Sequence, residues 1–498
     1  MIRRHALTFM GTMLLLRVAI AAWACEATLF PSHPEEVGRY WFLERWWTGF
    51  NPLDPSNTAW TIYTVYAPWL PLPILAATPL QFLPGSIQPY AFSILQALVA
   101  ALGTIGAGLA AWFLVGREAW RWPAATVAAA VTLADPRVVV LGVGLMTDQY
   151  HLSASALGVA GLLAAWRGER WGRPLFFGAL WLGMLSRYES WLLLPLCWLA
   201  LAAAERPFVR RRALRDLALI GAFPLSWIAY HAAMHGDPLH FVRVTQIYFK
   251  DHVAPDQRIT NLGAVVLRIG WVPLGLAAAA VAIAAIPGAY RRERLALALV
   301  PWVHFGLMCA LLAMGASATM YPERTFLAMV VLAAPLAGWG GARLLEAGLG
   351  AEPAGRAPLA AGAIAGLAIA AASVAIAARS GGADYSARLL LREVKAALAE
   401  AGGAPDGSGA VVLMDSTRPT SDMVCLGMVL PRRVTVAELT TTTLVLAPES
   451  ARVVVAKPEQ FDWRDPELGL SEPRRVRAWT DDWDVHLLRQ PGGTAARP

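Results

Sequence analysis

The residues whose position demands a chemical reason are a few acids, arginines and histidines placed beside long apolar runs of this 498-residue chain. The first group reads Ser32-His33-Pro34-Glu35-Glu36, followed by Tyr40 and a run rich in Trp. A helix opening at Pro34, with that many aromatic rings, suits a membrane interface and holds Glu35 and Glu36 at its surface. A carboxylate held there can take the proton of an attacking hydroxyl while a leaving group stays anchored in lipid. Acidic residues also favour any helix N-terminus through its dipole, so the bland reading stands beside the catalytic one. A second acid, Asp148 in Met146-Thr147-Asp148-Gln149-Tyr150-His151, opens an apolar run and serves equally as a helix cap or as a third catalytic candidate. Arg187 lies in Ser186-Arg187-Tyr188-Glu189-Ser190, in the middle of another apolar stretch. A buried guanidinium needs an anion, which Glu189 can supply, or else the oxygens of a lipid phosphate, whose geometry matches the arginine fork. Arg243 and Arg324 are further candidate phosphate ligands, and Tyr40, Tyr188, Glu189, His151 and His235 are candidate substrate-binding groups. The histidines 231, 235 and 240 match no zinc spacing, and no metal or other cofactor is expected.

These side chains need elements to hold them, and composition says which kind. Hydrophobic residues make up 57% of the chain and charged residues only 15%, too apolar for a soluble fold of this length. The net charge of +7 is concentrated in short arginine clusters between apolar runs, with no basic stripe interleaved with aromatics, so nucleic acid is not an expected partner. The four cysteines have no metal-ligand spacing and read as packing residues.

A span needs about 20 apolar residues. Residues about 7–29, 89–115, 122–142, 148–166, 214–233, 263–288, 295–315, 325–342 and 358–378 qualify, the first as a retained span rather than a cleaved signal. Residues 68–85 carry too many prolines for a continuous span and are assigned to the outer membrane surface. Residues 174–204 would make a helix of about 46 Å, too long for one crossing, so two short helices meeting at Arg187 are expected. That choice places every arginine cluster on one face, as the positive-inside rule requires. The expected fold is an α-helical polytopic membrane protein of about eleven spans, N-terminus inside and C-terminus outside. Residues 1–380 form its membrane domain, with an extracytoplasmic first loop over 30–90. Residues 381–498, after a Gly381-Gly382 linker, form a small extracytoplasmic α/β domain with a helix over 386–401 and strand-like runs at 410–414, 443–447 and 453–456. No nucleotide-binding or nucleophile motif assigns that domain any chemistry.

In this order and topology the sequence resembles the GT-C superfamily of membrane glycosyltransferases, which includes protein mannosyltransferases and the aminoarabinose transferase acting on lipid A. His33-Pro34-Glu35-Glu36 resembles the family's acidic element of the first outer loop, with Glu35 where the family generally has Asp. Residues 68–85 resemble its proline-led juxtamembrane segment and Asp148 its second acidic position. Leu185-Ser186-Arg187-Tyr188-Glu189 resembles its short segment with a basic residue, and Gly236-Asp237-Pro238 and Pro322-Glu323-Arg324 resemble weaker later signatures. The resemblance implies an enzyme of the bacterial inner membrane that moves a sugar from a polyprenyl-phosphate carrier to a lipid, glycan or protein acceptor on the outer face, with inversion. A first-loop carboxylate is then the base. A transporter or flippase for a lipid-linked saccharide, or an inactive scaffold of the same fold, is the competing reading.

Overall fold

The structure, a computed structural model, describes residues 2–28, 70, 72–83, 88–142, 147–204, 209–244, 246, 262–288, 290–313, 322–349, alternate residues of 360–368, 388–401, 411–414, 435–438, 451–456, 458, 464–465, 468, 470–478 and 481–488. The first-loop residues Glu35, Glu36 and Tyr40, the linker at 381–382 and the strand-like run at 443–447 lie outside these residues.

The chain is mostly helical. Helix α1 spans Ile2–Thr28, α2 Leu72–Ala77, α3 Gln88–Leu114, α4 Glu118–Val131, α5 Pro136–Leu141 and α6 Thr147–Trp166. Helix α7 spans Gly172–Met184, α8 Ser190–Ala204, α9 Arg210–His235, α10 Leu262–Ile269 and α11 Trp271–Ala285. Helix α12 spans Arg291–Ala313, α13 Pro322–Thr325, α14 Ala328–Leu349 and α15 Arg388–Glu400. Among the described residues four helices are long and apolar enough to cross a membrane, namely Tyr90–Leu114, α9, Arg291–Leu311 and α14, or five if α10 and α11 count as one broken span.

Helix α6 is the centre of the bundle, and its composition explains why. It alternates small residues (Ser153, Ala154, Ser155, Ala156, Gly158, Gly161) and is buried along nearly its whole length. Small residues let backbones approach closely, the usual basis of helix association in lipid. A Cβ added at Gly106 of α3 would stand 2.8 Å from the Leu157 backbone nitrogen, and one at Gly161 would stand 2.6 Å from the Phe176 nitrogen of α7. Helices α3 and α7 therefore clamp α6 from two sides. Helix α9 is the opposite case, with only 17% of its apolar window buried, so most of its surface is left for lipid.

One expected break is present, and two expected spans differ in detail. The pair α7 and α8 replaces the overlong run 174–204, breaking at Arg187 as its length demands. The expected span over 122–142 breaks at 132–135 because Asp135 restarts the chain as a cap: its Oδ1 accepts the Arg137 backbone N–H at 2.9 Å, ahead of α5, which opens on Pro136. The expected span over 263–288 is bent by 90° at Gly270, whose φ of 81° favours glycine, and Pro273 sits in the first turn of α11, where its missing N–H costs nothing.

Beyond the bundle, strands β1 (Val411–Met414), β2 (Thr435–Glu438), β3 (Ala451–Ala456), β4 (Arg474–Ala478) and β5 (Asp481–Leu487) form one sheet in the order β2-β1-β3-β5-β4. The β1 pairings to β2 and β3 are parallel, and β5 pairs antiparallel with β3 and β4. Helix α15 packs against β3, β4 and β5. The expected helix and the strands at 410–414 and 453–456 are present. The charged strands β4 and β5 were not expected. Across their antiparallel ladder Arg475 of β4 faces Asp484 of β5, with Nε donating to Oδ1 at 2.8 Å.

Candidate functional site

The site begins with the break between α7 and α8. Helix α7 ends as the backbone N–H groups of Ser186 and Arg187 both reach the Gly183 carbonyl, and α8 restarts with Ser190 N–H donating to the Arg187 carbonyl. The Trp191 indole donates to the Met184 carbonyl at 3.0 Å and staples the turn. Leu72 N–H, at the start of α2, donates to the Leu185 carbonyl at 3.0 Å, so the proline-led segment docks directly on this turn.

Alternate residues of the turn point to opposite sides. Arg187 and Glu189 face α6 and α13. Tyr188 faces away, stacked on Phe241 with centroids 5.2 Å apart and receiving a hydrogen bond from the Trp227 indole at 3.3 Å.

On the inner side four charged groups from three elements close a tetrad. Arg187 Nε and Nη2 bind the two oxygens of Glu189 at 3.0 and 2.5 Å, while its Nη1 donates to Asp148 Oδ1 at 2.5 Å. Arg324 of α13 binds Asp148 from the other side, Nη2 to Oδ2 at 2.5 Å and Nε to Oδ1 at 3.2 Å. Thr325 adds a hydroxyl to Glu189 Oε1 at 3.2 Å. Two positive and two negative groups leave the cluster formally neutral, which is what a low-dielectric interior tolerates. The side chain of Asp148 is 2% exposed and that of Arg187 19%, so the tetrad opens on the Arg187 side.

Beside the tetrad, His151 stands one turn after Asp148 on α6 and its Nδ1 lies 2.5 Å from Ser190 Oγ. His304 of α12 is equally buried, edge-on to Phe326 at 6.0 Å. The Nε2 atoms of both rings have no hydrogen-bond partner among the described residues.

Of the candidates read from sequence, the structure brings together Asp148, Arg187, Glu189, Arg324 and His151. It does not bring Arg243 or His235 to them. Arg243 is exposed and pairs with Asp237 at 3.1 Å, and His235 stacks on His240 with centroids 4.0 Å apart. Tyr188 belongs to the adjoining aromatic cluster. His304, Thr325 and Ser190 were missed; the signal for His304 was a lone titratable residue inside an apolar helix. Among the described residues no group of three His, Cys, Asp or Glu side chains is placed to hold a metal.

No family model matches the chain, and no curated protein matches its sequence. Among solved structures, ArnT from Cupriavidus metallidurans in the apo state aligns over 97% of this chain and 98% of its own, with a TM-score of 0.53 at 14% identity. The chain has the fold of that ArnT structure. At that identity the likeness is one of fold. ArnT bound to undecaprenyl phosphate aligns over 99% of both chains with a TM-score of 0.49 and 15% identity. The mycobacterial arabinofuranosyltransferase AftD aligns over 98% of this chain but 40% of its own, with a TM-score of 0.42 and 16% identity. Within this fold, the tetrad ties the segments around Asp148, Arg187 and Arg324 into one cluster, although they are far apart in sequence.

Proposed function

We propose that the chain is a glycosyltransferase that moves a sugar from a polyprenyl-phosphate carrier to an acceptor hydroxyl on the outer face of the membrane. The observation that carries this reading is the buried pair of guanidiniums, Arg187 and Arg324, joined through one carboxylate at the break of two half-length helices in a GT-C fold. Glu35, or Glu36 beside it, removes the acceptor proton as the acceptor oxygen attacks the anomeric carbon. The bond from that carbon to the phosphate oxygen breaks, and the phosphate leaves with the electron pair, its charge met by Arg187 and Arg324. Because both arginines already hold carboxylates, the incoming phosphate takes over part of the coordination that Asp148 and Glu189 supply. Phosphate approaches from the side where Arg187 is open. The scheme calls on no metal or cofactor.

In this reading the protein has about eleven spans with the N-terminus inside, sits in a bacterial inner membrane, and holds residues 381–498 outside. Reporters fused after Arg121, Arg173, Arg215 and Arg294 should then be cytoplasmic, and those after Pro55, His252 and Gly403 exported.

The decisive experiment incubates the reconstituted full chain with synthetic polyprenyl-phosphate-linked sugars and measures released polyprenyl phosphate. Glu35→Gln should lower turnover by roughly 10²- to 10⁴-fold with donor binding retained, and Arg187→Ala should weaken donor binding by roughly 10- to 150-fold. Movement of the intact donor between leaflets without release makes the protein a flippase. Neither release nor movement with any donor makes it a scaffold.

A further inference from the structure

The tetrad carries no net charge, and a phosphate that enters it adds a negative one. In a low-dielectric interior that excess has to be met by a cation or a proton. His151 is the side chain placed to answer it. It stands one turn after Asp148 on α6, is 2% exposed, and its Nδ1 lies 2.5 Å from the hydroxyl of Ser190, the residue that follows Glu189. Its own helix ties it to one carboxylate of the tetrad, and Ser190 ties it to the other. The charged and titratable groups around it are Asp148, Arg187, Glu189, Arg324 and, from α12, His304. The other helices packed on α6 add none there. Helices α3 and α8 carry no Asp, Glu, Lys, Arg or His, Arg137 of α5 is held by Asp135, and the charges of α7 and α14, namely Arg173, Arg343 and Glu346, belong to the opposite end of the bundle.

Ser190 makes a proton easy to place. A hydroxyl donates or accepts, so it satisfies Nδ1 of the neutral ring and, turned round, accepts from Nδ1–H of the charged one, while Nε2 carries the second hydrogen. In the balanced tetrad two carboxylates attract an imidazolium and two guanidiniums repel it, so little is gained by charging the ring. A phosphate tips that balance twice, by its own charge and by drawing Arg187 away from Glu189. We propose that His151 takes a proton from water when a phosphate enters the tetrad, so that donor binding is coupled to the uptake of one proton. The inference rests on the polyprenyl-phosphate reading of the tetrad and adds to it a residue that makes donor affinity respond to pH. Phosphate and proton then favour each other by the same factor, and affinity must rise as pH falls. His304 supplies the contrast. It is as buried as His151, but among the described residues it makes no hydrogen bond to the tetrad or to Ser190, and it meets Phe326 edge-on, one residue past Thr325.

The test measures binding of farnesyl methyl phosphate, a phosphodiester that keeps one negative charge throughout, to the full chain in detergent between about pH 8.5 and 5.5. Calorimetry in two buffers of different ionisation enthalpy counts the protons taken up. Affinity should rise as pH falls, by up to about tenfold per pH unit, with uptake approaching one proton per ligand. His151→Gln, which keeps a hydrogen-bonding side chain but cannot take the proton, should bind with neither pH slope nor proton uptake, and His304→Gln should keep both. Binding by the parent with no slope and no uptake overturns this proposal and leaves the donor reading standing. A slope that survives in His151→Gln, as expected if Glu189 itself takes the proton, or one lost in His304→Gln, overturns it as well. No binding at any pH overturns the proposal and the donor reading together. Should His151→Gln not fold, proton uptake by the parent and its persistence in His304→Gln still decide.

Discussion

The two ends of α6 solve the same problem differently. At its first turn Asp148 sits between the guanidiniums of Arg187, which Glu189 also holds, and of Arg324, and little of the cluster meets solvent. Beside its last turns Asp216 pairs with Arg173 through Oδ2 and has Arg215 Nε 3.9 Å from Oδ1, and the two arginine side chains are 29% and 65% exposed. Charge in a low-dielectric interior persists only when it is balanced and hydrogen-bonded. A balanced cluster that opens only at Arg187 is perturbed by a ligand that takes over part of its coordination there.

The largest test of that contrast is Asp148→Asn. It leaves two buried guanidiniums with one carboxylate between them, and breaking a buried pair from one side costs about 3 to 5 kcal/mol. Thermal and denaturant unfolding in nanodiscs should show a loss of that order, and an unchanged midpoint would break the comparison.

Asp216→Asn at the other end should cost less, about 1 to 3 kcal/mol, because Arg173 is open enough to regain water. The same unfolding measurement made on both variants ranks the two ends, and equal losses would show that the Asp216 end is as closed as the tetrad.

Gly161→Ala probes the packing that separates the ends. The new Cβ would meet the Phe176 backbone at 2.6 Å, and forcing α6 and α7 apart should cost about 1 to 3 kcal/mol. Unfolding midpoints in nanodiscs measure that loss, and donor binding at the tetrad should not change in the same variant.

The smallest effect is expected at the stacked histidines beside the turn. His240 is held below its ordinary value of 6.5, first by burial and then by the neighbouring His235, against the opposing pull of Asp237. The folded state therefore binds a proton less readily than the unfolded one, and His240 contributes no penalty above pH 6.5 but an increasing one as pH falls below it. His240→Phe, which keeps a ring in the stack, should be within about 0.5 kcal/mol of the parent at neutral pH. It should lose less stability than the parent between pH 7 and 5, as read from unfolding midpoints at each pH.

Much of this was legible from residues alone, and the parts that were not share a cause. Run length showed that 174–204 could not be one helix, and the cost of a buried guanidinium singled out Arg187 and its partner Glu189, because both follow from local sequence and the thickness of a bilayer. The bend at Gly270 and the restart at Asp135 were written in single residues whose effect depends on the neighbouring turns. Strands β4 and β5 were hidden because Arg475 and Asp484 read as solvated charges until they face each other. What only the tertiary structure decided is that Asp148, Arg187 and Arg324 share one carboxylate, that His304 stands beside them, and that Arg243 and His235 do not. Sequence determines how costly each charge is to bury, but which opposite charge meets it depends on how α6, α8 and α13 pack, and helices that are apolar on every face carry no periodic signal of that choice.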